Sequence, residues 1–376
     1  MSMNEAAVRR AIAGAQTIVV KVGSSSLTTP SGHLDADRLT ALVAALAAAA
    51  HQGARVVLVS SGAIAAGFGP LGFDARPADV VTQQTAAAVG QGLLMAQYET
   101  AFARHGLRVG QILITAADTI RATQYRNVQR TLDRLLDLGV VPIVNENDSL
   151  ASNEIRFGDN DRLSALVANI VRADALVLLT DVDALYTAPP SEPGSQRIGY
   201  VPDVIEALAA VQVGGSTSGV GTGGMVTKLE AARVAAVSGI PAVMTCASNA
   251  GPALMGDPVG TAFAPVNGRD TSKRLWIGFA ADPRGTFVVD DGAARAVRGG
   301  RASLLAAGTL AVRGDFSAGD PVWIDDEHGT HLARGLAGYD AEEVPQMLGR
   351  TTADLGETLG EEYAHPLVHR DGLVLV

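Results

Sequence analysis

Lysine is nearly absent from this chain: of 29 basic residues in 376 positions only three are lysines, Lys21, Lys228 and Lys273. Arginine serves wherever a generic surface cation is enough, so a lysine marks a place where a compact point charge is wanted. Cysteine is scarcer still. The single Cys246 excludes an internal disulfide framework, and its setting in the apolar run IPAVMTCA predicts a buried thiol rather than a nucleophile. No uninterrupted apolar segment reaches the roughly 18 residues needed to span a bilayer, and the first residues, MSMNEAAVRR, lack the apolar core of a secretory signal. Together these absences predict a soluble cytoplasmic protein with no membrane role. Of the seven histidines His328 and His331 fall on a predicted hairpin and the others show no metal-ligand spacing, so no protein-held metal is expected, and solvent-facing or packing roles fit them.

What is present alternates. Apolar runs at Thr17–Val22, Arg55–Ser60, Val109–Thr115, Val140–Val144 and Ala175–Leu179 read as strands, and helical periodicity covers Asp35–His51, Thr85–His105 and Tyr125–Leu138. Continuous apolar strands alternating with helices predict an α/β fold: a mainly parallel open sheet with helices on both faces and a ligand site along its carboxyl edge. From Thr286 the pattern changes to short strands with Gly-rich turns and no crossover helix, TFVVDDGA, GTLAVRGDF, DPVWIDDEHG and HLARGLAGY. The expected organisation is a catalytic domain over 1–281 and a small β-rich domain over 282–376. That second domain holds 8 Arg against 16 Asp plus Glu, a net of −8 within a whole-chain net of −10.

Residues 145–161, NENDSLASNEIRFGDND, hold nine Asn, Asp and Glu side chains against one cation, Arg156, directly after a buried strand. Such a cluster at a strand end reads as a small-ligand site in which Asp148 and Asn160 accept hydrogen bonds from an amino acid's ammonium group. The alternative for Asn160, or for Asp159, is a cap on the helix that follows. Lys21 and Lys228 lie in the Gly-rich stretches KVGSSS and GTGGMVTK, and six glycines fall between Gly214 and Gly224. The second stretch is not a P-loop, because Thr227 stands where that motif needs Gly before the lysine. The two lysines are read as a phosphoryl clamp, since transfer of a terminal phosphoryl group depends mostly on positioning and charge neutralisation. A carboxylate acceptor is already ionised at neutral pH and needs no general base, which removes the need for a catalytic histidine.

Six blocks in this order, VVKVGSSSL, SSGAIAAG, VVPIVNEND, FGDNDRLSALVA, LLTDVDALYT and SGVGTGGMVTKLEAA, closely resemble the glutamate 5-kinases of the amino acid kinase family. The tail resembles a PUA domain, so the likeness covers nearly the whole chain. It implies ATP-dependent phosphorylation of the γ-carboxylate of L-glutamate to L-glutamyl 5-phosphate, the first step towards proline, with Mg2+ accompanying ATP. It also implies that Lys21 and Lys228 contact the transferring phosphates and that Asp161 orients them. Ser61, Asn145, Asp148 and Asn160 hold glutamate in this reading. Thr180, Asp181 and the loop Thr222, Gly223, Gly224, Met225, Val226, Thr227 and Lys228, together with Lys21, line the nucleotide. Proline as feedback inhibitor, a homo-oligomer and a glutamyl phosphate reductase partner belong to the same set of expectations. Within residues 145–161, positions 145–148 become the amino-acid pocket, 159–161 its link to the lysines, and 149–158 a covering loop.

Two rivals define the tests. A kinase of the same fold could act on aspartate or an N-acylated glutamate. The tail could instead bind RNA through an arginine patch at Arg295, Arg298 and Arg301, but its net of −8 opposes the phosphate neutralisation that such binding requires, so RNA is not an expected partner.

Overall fold

Every residue of Thr17–Val22 (β1) is buried, as a strand covered by helices on both faces must be. The computed structural model describes residues 3–29, 33–73, 79–115, 122–148, 160–188, 192–213, 224–266, 283–299 and 302–375. Around β1 stand Arg55–Ser60 (β2), Arg108–Ile114 (β3), Val140–Glu146 (β4), Ala175–Thr180 (β5), the short strands Leu185–Tyr186 (β6), Arg197–Ile198 (β7) and Tyr200–Val201 (β8), then Ala242–Cys246 (β9) and Thr261–Phe263 (β10). Eight of them form one sheet in the order β3-β4-β2-β1-β5-β9-β10-β8, while β6 and β7 pair separately. All neighbours from β3 to β9 run parallel, and only β10 against β9 is antiparallel.

The order explains where a site can form. From β1 the chain crosses to β2 on one side, and after β4 it returns to β5 on the other, so β1 is the topological switch point. Ligands of open α/β sheets bind at the carboxyl ends of strands at such a point. Here the ends of β1, β2, β4 and β5 deliver Gly23, Ser61, Asn147 and Asp181 to one edge.

Two boundaries and one burial differ from the expectations in ways that bear on the site. The helix expected from Thr85 begins at Val80, because the Asp79 side chain accepts from Thr82 N and caps it. Strand β4 continues to Glu146 by pairing with β3, which places Asn145 opposite Leu113 within the sheet rather than beyond it. Cys246 is half-buried at the end of β9, not buried, and its Sγ lies 3.1 Å from Ser248 Oγ.

Two helices on one face approach backbone to backbone at two glycines. A Cβ on Gly90, in Val80–Ala103, would lie 1.8 Å from the carbonyl oxygen of Ala63, and one on Gly67, in Ala63–Leu71, would lie 2.1 Å from that of Ala86. Only glycine permits this approach. The backbone of the 63–71 helix is thereby seated against the 80–103 helix.

The chain divides into two compact units, one of Met1–Asp118 and Tyr125–Arg269, the other of Thr119–Gln124 and Asp270–Val376. The second holds a five-stranded sheet, Gly285–Val289 (β11), Thr309–Gly314 (β12), Pro321–Asp326 (β13), His331–Leu336 (β14) and Leu373–Leu375 (β15), in the order β12-β11-β13-β14-β15. It has its own core, including Phe287, Ile324, Leu332, Val344 and Met347. Against expectation a helix, Asp291–Arg298, separates β11 from β12: Asp290 accepts from Ala293 N and starts it. His331 stacks on Trp323 at 3.9 Å and meets Asp325 at 2.6 Å, a packing role.

Candidate active site

Asp161, on the first turn of the Asn160–Ile170 helix, is 1% exposed and has both carboxylate oxygens engaged. Its Oδ1 lies 2.5 Å from Lys21 Nζ and its Oδ2 3.3 Å from Lys228 Nζ, with Thr227 Oγ1 at 3.5 Å. Lys21 comes from the end of β1 and Lys228 from the Gly224–Val237 helix, so one buried carboxylate joins two elements more than 200 positions apart. The pair of ammonium groups at a sheet edge is suited to oxygens that carry developing negative charge.

Next to it lies an amide cluster. Asn160 Nδ2 donates to Ser61 Oγ at 2.8 Å and to Asn145 Oδ1 at 2.8 Å, and stands 3.2 Å from Ser60 O. Its Oδ1 is buried with no hydrogen-bond partner. A helix cap works through such an oxygen, and here Asn160 already lies inside the helix, so it caps nothing. Asp159 lies outside the described residues.

Ser61, Asn145, Asp148 and Asn160 line a cavity of about 460 Å³ with Ser24, Ser25, Glu146 and the start of the 63–71 helix. Gly62 makes that helix start possible: at φ 109° it adopts a left-handed conformation that a side chain would strain. Residues Ala63, Ile64 and Ala65 of the first turn border the cavity, and first-turn amides have no carbonyl partner within their own helix. An anionic ligand group is favoured there.

On the other side of β1, Thr180 is buried at the end of β5 and its Oγ1 donates to Asp181 Oδ1 at 2.8 Å. That hydrogen bond, aided by the charges of Lys228 and Lys21, holds the Asp181 carboxyl below its ordinary pKa. Met225, Val226 and Thr227 occupy the first turn of the helix that carries Lys228. Gly224 opens that helix, while Thr222 and Gly223, like the covering loop 149–158 and Arg301, lie outside the described residues. Among the described residues no group of three or more His, Cys, Asp or Glu could hold a metal unaided.

Two contributors carry no signal in the sequence. Gln91, on the 80–103 helix, accepts from Asn145 Nδ2 through Oε1 at 2.9 Å. Tyr98, fully buried, shares a 2.7 Å hydrogen bond with Ser60 Oγ, and burial pushes its phenol well above the ordinary pKa. Both sit in an Ala-rich helix where a Gln or Tyr is unremarkable, and their partners lie 54 and 38 positions away.

A model of the amino acid kinase family matches residues 16–246, and one of the PUA domain matches residues 285–358. The glutamate 5-kinase of Bifidobacterium longum (strain DJO10A) is 80% identical to this chain over 373 residues, covering 99% of each. That of Streptomyces avermitilis is 55% identical over 372 residues, covering 98% of this chain and 99% of its own. Among solved structures, the carbamate kinase from Giardia lamblia bound to AMP-PNP aligns over 68% of this chain and 100% of its own with a TM-score of 0.50. At 19% identity that last likeness speaks for the fold alone.

Proposed function

The chain belongs to the amino acid kinase family, in its glutamate 5-kinase branch, and from that premise we propose how its carboxyl-edge site transfers a phosphoryl group from ATP to the γ-carboxylate of L-glutamate. The single observation that carries the mechanism is the Lys21–Asp161–Lys228 triad. Glutamate occupies the cavity between Ser61, Asn145, Asp148 and Asn160, with its ammonium group facing carbonyl and carboxylate oxygens. The γ-carboxylate is ionised at neutral pH and attacks the terminal phosphorus without a base.

The bond between the terminal phosphorus and its bridging oxygen breaks as the new acyl phosphate bond forms, and ADP leaves. Charge spreads over the three equatorial oxygens in that passage. Lys21 and Lys228 neutralise it, and Asp161 holds both ammonium groups in place beforehand, so little reorganisation is left for the reaction itself. Thr180, Asp181 and the loop 222–228 take the nucleotide. Mg2+ fits this set: such an ion is held largely by phosphate oxygens and water with one or two carboxylates, and Asp181 offers one at the strand end. When bound, it supplies further neutralisation of the phosphate oxygens.

We place the boundary between catalytic and tail domains at 281/282, between the two family-model matches. Proline as feedback inhibitor, a homo-oligomeric assembly, a reductase that consumes the labile acyl phosphate and a cytoplasmic location complete the proposal. Among the described residues no helix is long and apolar enough to cross a membrane. The test is ADP release with L-glutamate, L-aspartate and N-acetylglutamate as acceptors, with and without proline. Glutamate should support turnover well above the others, and preference for either rival acceptor would overturn the assignment.

A further inference from the structure

We propose that Gln91 is a positioning residue that braces the Asn145–Asn160 amide pair, and so the place of the Asn160 carbonyl, against the amino-acid substrate. The inference rests on the glutamate pocket proposed above and follows from the hydrogen-bond polarity of three amides. The backbone N–H of Glu146 donates to Asn145 Oδ1 at 2.9 Å, and a backbone N–H can only donate. Asn145 therefore directs its Oδ1 towards Glu146, and its Nδ2 must find an acceptor elsewhere. That acceptor is Gln91 Oε1 at 2.9 Å. Asn145 Oδ1 also receives Asn160 Nδ2, whose further acceptor, the backbone carbonyl of Ser60 at 3.2 Å, fixes the same orientation of the Asn160 amide.

What remains at the end of the relay is Asn160 Oδ1, buried and without a hydrogen-bond partner, on a residue that lines the substrate cavity. A lone carbonyl acceptor suits an ammonium group and not a carboxylate. Gln91 itself does not line that cavity. It borders a smaller one with Gln111, Glu146 and Asp148, and its own Nε2 is buried without a partner. An orphaned donor is destabilising, so an apolar side chain of similar length would serve packing better; what the amide contributes is its oxygen.

If that oxygen is removed, Asn145 Nδ2 loses its acceptor and the Asn145 amide is held from one side only. The Glu146 N–H and the Ser60 carbonyl still oppose reversal of either amide, so Asn145 instead shifts to seek an acceptor for its Nδ2 and draws the bonded Asn160, with its Oδ1, away from the ammonium group. Gln91 thus acts on recognition of the ammonium and not on phosphoryl transfer.

The test compares the full-length protein with Gln91→Met and, as a second variant whose side chain is too short to reach Asn145, Gln91→Asn. Each is assayed with glutamate and with glutarate, which lacks only the α-ammonium, as substrate or competitive inhibitor. Both variants should raise the glutamate KM about tenfold, a size in keeping with one buried hydrogen-bonding group left unmet. The kcat, the ATP KM and the affinity for glutarate should stay near wild type, so that preference for glutamate over glutarate narrows. Equal losses for glutamate and glutarate would reduce Gln91 to a packing residue and overturn the proposal, as would an unchanged glutamate KM. Absence of glutamate turnover in the wild-type protein would instead refute the functional reading on which this inference stands.

Discussion

Asp161 is the residue on which the site turns. Its carboxylate is buried between two ammonium groups, and the Lys21 side chain is only 4% exposed. Asp161→Asn keeps the shape and removes the countercharge. Breaking a buried pair by changing one partner costs roughly 3–5 kcal/mol, because the other charge is left uncompensated. Urea denaturation should therefore show a loss of about 3 kcal/mol or more, and turnover should fall with it. An unchanged midpoint with full activity would mean that the lysines do not depend on Asp161. Lys21 and Lys228 were legible because lysine is so rare here that two in Gly-rich stretches stand out. Asp161 and Asn160 were visible as members of a dense polar cluster, and the resemblance paired Asp161 with the two lysines, but the bond of the Asn160 amide to Ser61 is not local in sequence and carried no signal of its own.

At the scale of elements, the cavity proposed for glutamate depends on the seating of the 63–71 helix against the 80–103 helix. Gly90→Ala would drive a Cβ to 1.8 Å from Ala63 O and 2.4 Å from Gly67 N, both backbone atoms that cannot rotate away. We expect a loss of about 2 kcal/mol or more from such overpacking, and a raised glutamate KM because Ala63 lines the cavity. Gly92→Ala is the control: a Cβ there meets nothing within 4 Å. It should be neutral or stabilise the helix by up to about 1 kcal/mol. Thermal melts and glutamate titrations of the two variants check both statements, and equal behaviour would contradict the close-packing argument. Five of the eight strands of the main sheet were legible as apolar runs. The start of the 80–103 helix was not, since a single Asp79 cap outweighs the weak periodicity of VVTQQT, and the Gly90 contact depends on a second helix that periodicity does not place.

For the molecule as a whole, two hydrophobic cores imply two units that fold on their own. Residues 282–376 produced alone should unfold in one cooperative transition, and at a net of −8 they should show no saturable, salt-sensitive RNA binding. A non-cooperative melt would refute independence, and saturable binding would restore the RNA reading of the tail. The change of pattern near Thr286 made the second unit legible as β-rich, but the Asp291–Arg298 helix was hidden in eight residues beside a strand.

The central claim is that Lys21 and Lys228, aligned by Asp161, act on the phosphoryl group and not on the amino acid. Lys228→Ala tests it most directly, with turnover followed by ADP release and glutamate affinity measured separately by calorimetry. Glutamate should bind within about a factor of two of wild type, since uniform binding is untouched, while kcat falls by roughly 10²-fold or more, as expected for a lost charge-stabilising group. Near-normal turnover in that variant would contradict the account.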